Sequence, residues 1–286
     1  MKEDIFGIIA RRKSSRTYSG LLPGEDILNS LRRGAAAPLP YQAEGMLPAG
    51  TPAPCIRLLE QSSGSTPPST YGVVKGARLF AAMGLTKGHS RAETVAGGIL
   101  FEQFILRATA LGMATCWLGG TFGRSSFQAL FEKAGGTGEV AIVSPVGHEA
   151  PSMRFGERLM RAAVRASKRK PFGKLFTGVN PPEQFPPSFP LPSSAGMPEI
   201  TASILEAVRL APSSSNSQPW RATVAADGDR YTVSLTCASP DGRFAPVDMG
   251  IALCHIILGA EALGVAVAID SADFDALAFT LSISRM

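Results

Sequence analysis

The sequence predicts an α+β fold assembled from two related halves of one chain. Three observations carry that expectation. Two long apolar helical segments match each other at an offset of 152 residues, short strand-like runs follow a helix in each half, and a proline-rich stretch lies between the halves.

The long helices are expected over residues 95–111 and 247–263, and Gly112 and Gly264 end them. When one is laid on the other, Gly98 meets Gly250, Ile99 meets Ile251, and Ile105-Leu106 meets Ile257-Leu258. Ala108, Ala110, Leu111 and Gly112 likewise meet Ala260, Ala262, Leu263 and Gly264. Buried Ala/Leu helices resemble one another in general, but the paired glycines at both ends point to a repeat. Residues 30–37 and 205–211 also read as helices that stop at Ala-Pro, because the residue before proline disfavours the α region. Strand-like runs follow at 56–59 and 222–225. Others are expected at 72–74, 78–83, 139–143, 231–236, 265–269 and 279–283, all short and either apolar or alternating. Helices layered on sheets are the economical arrangement for such a pattern.

Residues 178–198 carry prolines that exclude helix and sheet interior alike. They divide the chain into a first half (1–177), a linker (178–198) and a second half (199–286). The stretches 38–54 and 62–70 read as irregular loops.

Composition narrows the class of protein. The chain has 286 residues, 45% hydrophobic and 18% charged, which excludes chain-wide disorder. Its length allows a core without disulfide staples. Cys55, Cys116, Cys237 and Cys254 form no CxxC pair, and His89, His148 and His255 lack metal-ligand spacing, so no zinc site is expected. Few cysteines, and a Met1-Lys2-Glu3-Asp4 start without an apolar leader, make a reducing cytoplasm the expected compartment. The most apolar stretch, 247–269, contains Asp248, His255 and Glu261. Ionisable groups are costly in a bilayer, so a buried helix is expected instead, with Asp248 as a cap and His255 as a core histidine. The net charge of +5 suits an anionic partner.

Three constellations could carry chemistry. Arg11-Arg12-Lys13-Ser14-Ser15-Arg16 offers guanidinium forks and hydroxyls suited to a phosphate, or forms a solvated basic helix end. Residues 165–171, with Lys168, Arg169 and Lys170, allow the same two readings. Ser213-Ser214-Ser215-Asn216-Ser217-Gln218 is a dense neutral hydrogen-bonding set between a helix and a strand, and Trp220 behind it reads as a core anchor. Trp117-Leu118-Gly119-Gly120 is either a turn or a place where backbone N–H groups approach a flat ligand.

Together these residues resemble the nitroreductase family of FMN-dependent oxidoreductases, most closely its TM1586-like branch, in which one chain holds both halves. Residues 12–18 resemble the family's opening R-R-S-x-R-x-[YF]. Residues 211–220 are similar to its A-P-S-x-x-N-x-Q-P-W. Residues 117–120 fall where the family has a P-x-x-G-type loop facing the flavin, and 168–171 resemble its closing basic-residue-proline element. The resemblance covers nearly the whole chain apart from the linker and the 38–54 loop.

The resemblance implies a nitroreductase-like pseudodimer that binds FMN between its halves. Arg12, Ser14 and Arg169, with Lys168 beside them, would hold the phosphate. Lys13 and Arg16 would follow the ribityl chain and pyrimidine edge. Ser213, Ser214 and Asn216 would reach over from the second half, while Trp117, Gly119 and Gly120 would face the ring near N5. Lys13 stands where arginine is common, and Gly119 where an acidic residue is often found. The other half-site has Leu39-Pro40-Tyr41-Gln42 in place of a serine-asparagine loop, and the second half has no basic opening, so one FMN per chain is expected.

The activity implied is two-step hydride transfer from NAD(P)H through FMN N5 to an electrophilic small molecule such as a nitroaromatic or quinone. No acid–base residue is required by that scheme. The alternatives are an FMN-binding protein without turnover and a nucleic-acid binder using 154–174. The interleaved apolar residues of that run, without any nucleic-acid motif, speak against the latter. A monomer with neither membrane nor nucleic-acid partner is expected.

Overall fold

The computed structural model describes residues 4–62, 64, 66–151, 168–186, 196–228 and 230–285. In chain order the elements are α1 (Ile5–Arg11), α2 (Glu25–Ala35), α3 (Tyr41–Glu44), β1 (Cys55–Glu60), β2 (Leu79–Leu85), α4 (Arg91–Ala110), β3 (Ala114–Thr115), α5 (Arg124–Lys133) and β4 (Glu139–Gly147). They continue with α6 (Phe172–Leu175), β5 (Phe176–Thr177), α7 (Met197–Leu210), a 3-10 turn (Ser214–Asn216), β6 (Trp220–Asp227), β7 (Arg230–Cys237), α8 (Ala245–Leu263), β8 (Val265–Asp273) and β9 (Ala278–Arg285).

Local chemistry sets the helix ends. The Ser90 hydroxyl accepts from the Glu93 N–H at 3.0 Å to start α4, as an N-cap serine does. Pro198 and Pro246 stand in the first turns of α7 and α8, where a missing N–H costs nothing. Gly264 closes α8 in the left-handed conformation, φ 66°. Asp248 is not the α8 cap: the cap position is Phe244, with no side-chain bond. The strand expected at 72–74 is a turn instead, since Tyr71 and Gly72 have φ of 49° and 77°, outside the extended region.

Two sheets result, of order β1-β2-β4-β3 and β5-β6-β7-β9-β8. All pairings are antiparallel except β5 with β6. Without β5, the second sheet repeats the strand order of the first: two strands, a long helix, then two strands inserted in reverse. Strand β5, at the end of the first 177 residues, joins the sheet of the other half by pairing Phe176 with Ala222. Among the described part of the linker, residues 178–186 contain no helix or strand, and 187–195 lie outside the described residues.

Helices α4 and α8 are buried on nearly every side and lie against each other in the middle of the molecule. They cross at Gly98 and Gly250. A Cβ on Gly98 would stand 2.5 Å from the Val247 carbonyl oxygen and 3.1 Å from the Gly250 Cα. A Cβ on Gly250 would overlap the Val95 carbonyl oxygen and stand 2.9 Å from the Gly98 Cα. Gly98 and Gly250, and Val95 and Val247, are related by the same offset of 152 residues. The contact is therefore reciprocal, as at a two-fold axis.

One core packs α7 and α8 on the second sheet and takes in Val95 and Ile99 of α4. Another packs α2 and α4 on the first sheet. Helix α1 bridges the halves, with Phe6, Ile8 and Ile9 against Leu106 of α4 and Ala207 of α7. Helix α8 is long and apolar enough to cross a membrane by length and composition, and 78% of that stretch is buried inside the protein.

Gly250→Val must force α4 and α8 apart, since the obstacle is backbone. Urea unfolding is expected to show a loss of about 3 kcal/mol or more. Gly173→Ala, whose Cβ meets nothing within 4 Å, should stay within about 0.5 kcal/mol of wild type. Equal stability of Gly250→Val and wild type would refute the close crossing.

Candidate functional site

A cavity of about 420 Å³ opens beside the helix crossing and takes its walls from both halves. Arg12, Ser14, Arg16, Trp117, Gly119, Gly120 and Arg169 come from the first half, and Ser213, Ser214 and Asn216 from the second. Ten of the twelve residues singled out in the sequence thus meet in one space.

The opening basic segment explains both inclusion and exclusion. After α1 the chain is extended and held by single bridges from Ser14 to Thr115 and Thr17 to Lys75. The Ser15 N–H donates to the Thr115 carbonyl and Lys75 N–H to the Arg16 carbonyl, both at 2.9 Å. Side chains of an extended segment alternate in direction, so Arg12, Ser14 and Arg16 share the cavity face. Lys13 and Ser15 turn the other way, toward Glu149. The Lys13 ammonium lies 2.7 Å from one carboxylate oxygen, and the Ser15 hydroxyl donates to the other at 2.9 Å. Lys13 is therefore not a wall residue. Lys168 also lies outside the wall: its side chain is exposed, and its carbonyl accepts from Asn216 Nδ2 at 2.8 Å.

Arg169 joins the halves. Its Nη1 donates to Asn216 Oδ1 at 2.8 Å and its Nη2 to the Leu210 carbonyl at 3.0 Å. Burial, then the nearby charges of Arg12 and Arg209, push its pKa down to about 10. It stays a cation at neutral pH, held close to another cation. Of the 154–174 basic run, residues 154–167 lie outside the described residues, and the nucleic-acid reading gains no support from 168–174.

The serine-asparagine loop is strained. Ser215, Asn216 and Gln218 adopt φ of 50°, 56° and 48°, a region that disfavours side chains other than glycine. Such conformations persist where surrounding bonds over-determine them. Gln218 N–H donates to the Ser213 hydroxyl at 2.9 Å, and its Oε1 accepts from Lys170 N–H at 2.7 Å. The Lys170 ammonium holds the Ser217 carbonyl at 2.7 Å. From the opposite side, Asp248 Oδ1 accepts from the Ser214 N–H at 2.9 Å.

Behind the glycine loop lies a chain of buried polar groups. Trp117 Nε1 donates to Glu102 Oε2 at 2.9 Å, and Glu102 Oε1 meets His255 Nε2 at 3.0 Å. His255 Nδ1 lies 2.8 Å from the Ala207 carbonyl, which can only accept, so Nδ1 bears a proton. Glu102 and His255 are both fully buried. Helices α4, α7 and α8 thereby fix the indole at the cavity edge. A Cβ on Gly119 would strike the Phe244 ring at 2.5 Å, whereas Gly120 faces open space.

Sequence reasoning missed Asp248 and Phe244 as wall residues. Asp248 is 4% exposed. Burial pushes its carboxyl up to about 7, against the opposing pull of the Ser214 N–H and the Ser217 hydroxyl. The signal was present: an aspartate inside the most apolar helix needs a polar partner, and the serine loop supplies one.

A family model described as "Putative TM nitroreductase" matches residues 69–260, well over half of the chain. The chain belongs to this nitroreductase family. Its fold is similar to that of a putative nitroreductase from Thermotoga maritima MSB8, with a TM-score of 0.56 and 18% identity over 99% of this chain and 94% of that one. Shorter nitroreductases with bound FMN also align, from Desulfitobacterium hafniense DCB-2 (TM-score 0.40, 16% identity, 54% of this chain and 93% of that one) and Bacteroides fragilis NCTC 9343 (0.39, 19%, 53% and 91%). A search of the curated proteins finds no match.

The nitroreductase cavity carries a pH signature through Asp248. Its folded pKa, about 7, lies above its ordinary 3.8, so the folded state binds the proton more tightly than the unfolded chain. The resulting stability is complete below about pH 4 and is lost as pH rises through about 7. Asp248→Asn keeps an acceptor for Ser214 and removes the titration. Its stability relative to wild type should therefore rise between pH 4 and 8, by on the order of a few kcal/mol. Parallel stability–pH curves for the two proteins would contradict this assignment.

Proposed function

We propose that the protein is an FMN-dependent oxidoreductase that uses NAD(P)H to reduce an electrophilic small molecule, such as a quinone or nitroaromatic. The observation that carries this reading is the meeting of Arg12, Arg169 and Asn216 on one cavity built from both halves.

The residues present fit FMN. Clustered guanidiniums with Ser14 suit a phosphate, which accepts several charged hydrogen bonds. Val73, Leu118, Ile142, Phe244, Val247 and Ile251 supply apolar wall for a flat ring, and the volume lies within the usual range of about 300–1,000 Å³ for ligand sites. Arg12, Ser14 and Arg169 would hold the phosphate, and Arg16 the polar edge of the cofactor. Ser213, Ser214 and Asn216 would close over it from the second half, with Trp117, Gly119 and Gly120 against the ring. When bound, FMN supplies hydride transfer at N5 from NAD(P)H to the acceptor. The chain orients it, screens it from water and neutralises its charge.

The two halves are read as an internal duplication acting as a monomeric pseudodimer. The repeated strand order and the reciprocal glycine crossing support this. So does a second opening, of about 780 Å³, bordered by Arg91, Ala92, Asp273 and Phe274. Their counterparts at the 152-residue offset are Arg243, Phe244, Thr121 and Phe122, of which Phe244 and Thr121 line the first cavity. Residues 48–52 also border it. The Arg91 guanidinium is spent on the Phe274 and Pro240 carbonyls, each at 2.8 Å. This arrangement supports one FMN per chain.

Purified protein loaded with FMN should hold about one flavin per chain and consume NAD(P)H when a quinone or nitroarene is supplied. Arg12→Ala and Asn216→Ala should each weaken flavin retention on dialysis about tenfold or more, since a charged hydrogen bond contributes about 1.5–3 kcal/mol. Tyr41→Ala and Gln42→Ala, outside the cavity, should leave it unchanged. Wild-type retention in both Arg12→Ala and Asn216→Ala would refute the composite site. A bound flavin that NAD(P)H never bleaches would leave a flavin-binding protein without turnover.

A further inference from the structure

We infer that Glu102 and His255 are positioning residues of the flavin site, a buried pair that acts on the bound cofactor through the Trp117 indole. This inference rests on the oxidoreductase reading above and adds to it two residues that lie behind the cavity wall.

The pair has a fixed arrangement of protons. His255 Nδ1 donates to the Ala207 carbonyl at 2.8 Å, and Nε2 faces Glu102 Oε1 at 3.0 Å. Two acceptors buried that close together require a proton between them. The pair is either an imidazolium with a carboxylate or an imidazole with a carboxylic acid, and it is neutral as a whole in both forms. Glu102 Oε2 is left to accept from Trp117 Nε1 at 2.9 Å. The Phe101 ring holds the indole from a second direction, with centroids 4.9 Å apart and planes at 77°.

The helix crossing does not need this pair. At the 152-residue offset Glu102 corresponds to Cys254, His255 to Gln103, Trp117 to Ile269 and Phe101 to Leu253. Because α4 and α8 cross reciprocally at Gly98 and Gly250, the two sets of positions meet the same packing demand. One set meets it with a buried cysteine and a glutamine whose Oε1 is buried without a hydrogen bond. The acid–imidazole pair stands only on the side where an indole walls the arginine-lined cavity. On the other side the Ile269 side chain has no N–H to hold. Apolar residues in place of a buried ion pair are often no less stable, so the fold alone gives little reason for the pair. Its distribution follows the indole.

Holding the indole has a physical effect on the site. Trp117 is half-buried, and a loose side chain of that size would have to be ordered each time a ligand bound. Ordering it in advance removes that cost from binding. It also fixes a wall beside the reacting ring, where small misplacements slow a reaction steeply.

The test uses protein labelled with fluorotryptophan. Its two fluorine resonances come from Trp117 and Trp220, the only tryptophans in the chain, and Trp117→Phe assigns them. The double variant Glu102→Met/His255→Leu removes both ionisable groups together, so neither is left buried alone. It should melt cooperatively within about 5 °C of wild type. In the flavin-free double variant the Trp117 resonance should shift and broaden while that of Trp220 stays in place. After FMN loading, flavin retention and single-turnover bleaching by NAD(P)H should each fall about tenfold or more. Glu102→Gln offers a carbonyl to the indole and an amide N–H to His255 Nε2. That variant should return the Trp117 resonance to its wild-type position and bleaching to within about twofold of wild type. In a Trp117→Phe background the double replacement should add no further loss, because the indole it acts through is gone. Loss of folding in the double variant, an unmoved Trp117 resonance, or a full further loss in the Trp117→Phe background would each overturn the positioning role. Wild-type flavin retention and bleaching in the double variant overturn this inference alone. Wild-type protein that retains no FMN overturns the oxidoreductase reading and the inference with it.

Discussion

The close passage of α4 over α8 at Gly98 and Gly250 is the constraint on which the rest of the molecule depends. Two backbones meet there with no side chain between them. The approach brings the two sheets with their helices to a fixed separation, and that separation defines the cavity. Packed interiors do not deform continuously, so a single Cβ at this point is transmitted to the cavity walls. The glycines are there because the chain must be thin at that point, and their equal spacing in the two halves follows from the crossing's reciprocity.

Fixed in this way, the halves contribute unlike chemistry. The first brings cations on an extended segment, where every second side chain faces inward. The second brings a strained turn with neutral donors and acceptors. The Arg169–Asn216 bond spans them, and the Trp117–Glu102–His255–Ala207 chain runs behind them through three helices. Cations held near one another and a turn held in a left-handed conformation both store unfavourable energy. An anionic, flat ligand placed between them would relieve the repulsion and give the turn further partners.

Much of this was legible in the sequence. The offset of 152 residues already matched Gly98 with Gly250, and the polar loop at 213–218 marked itself by density. What escaped was direction and depth. Lys13 lies among the right neighbours, but the alternation of an extended chain turns it to Glu149, and residue type does not report alternation when the strand is one bridge long. Asp248 read as a helix cap because aspartate favours caps. Its partner stands 34 residues away in sequence, on a loop whose position only the packed fold determines. The run at 72–74 looked like a strand by composition, and two positive φ values at 71 and 72 made it a turn. Periodicity reports burial well, whereas contacts between distant loops arise from tertiary packing.

The most direct test of the account is a crystal structure of the protein loaded with FMN. One flavin per chain should lie between the halves, its phosphate against Arg12 and Arg169 and its ring between Trp117 and the turn at Ser214–Asn216, with α4 and α8 still crossing at the paired glycines. A flavin bound instead beside Arg91 and Phe274, or contacting residues of one half alone, would contradict it.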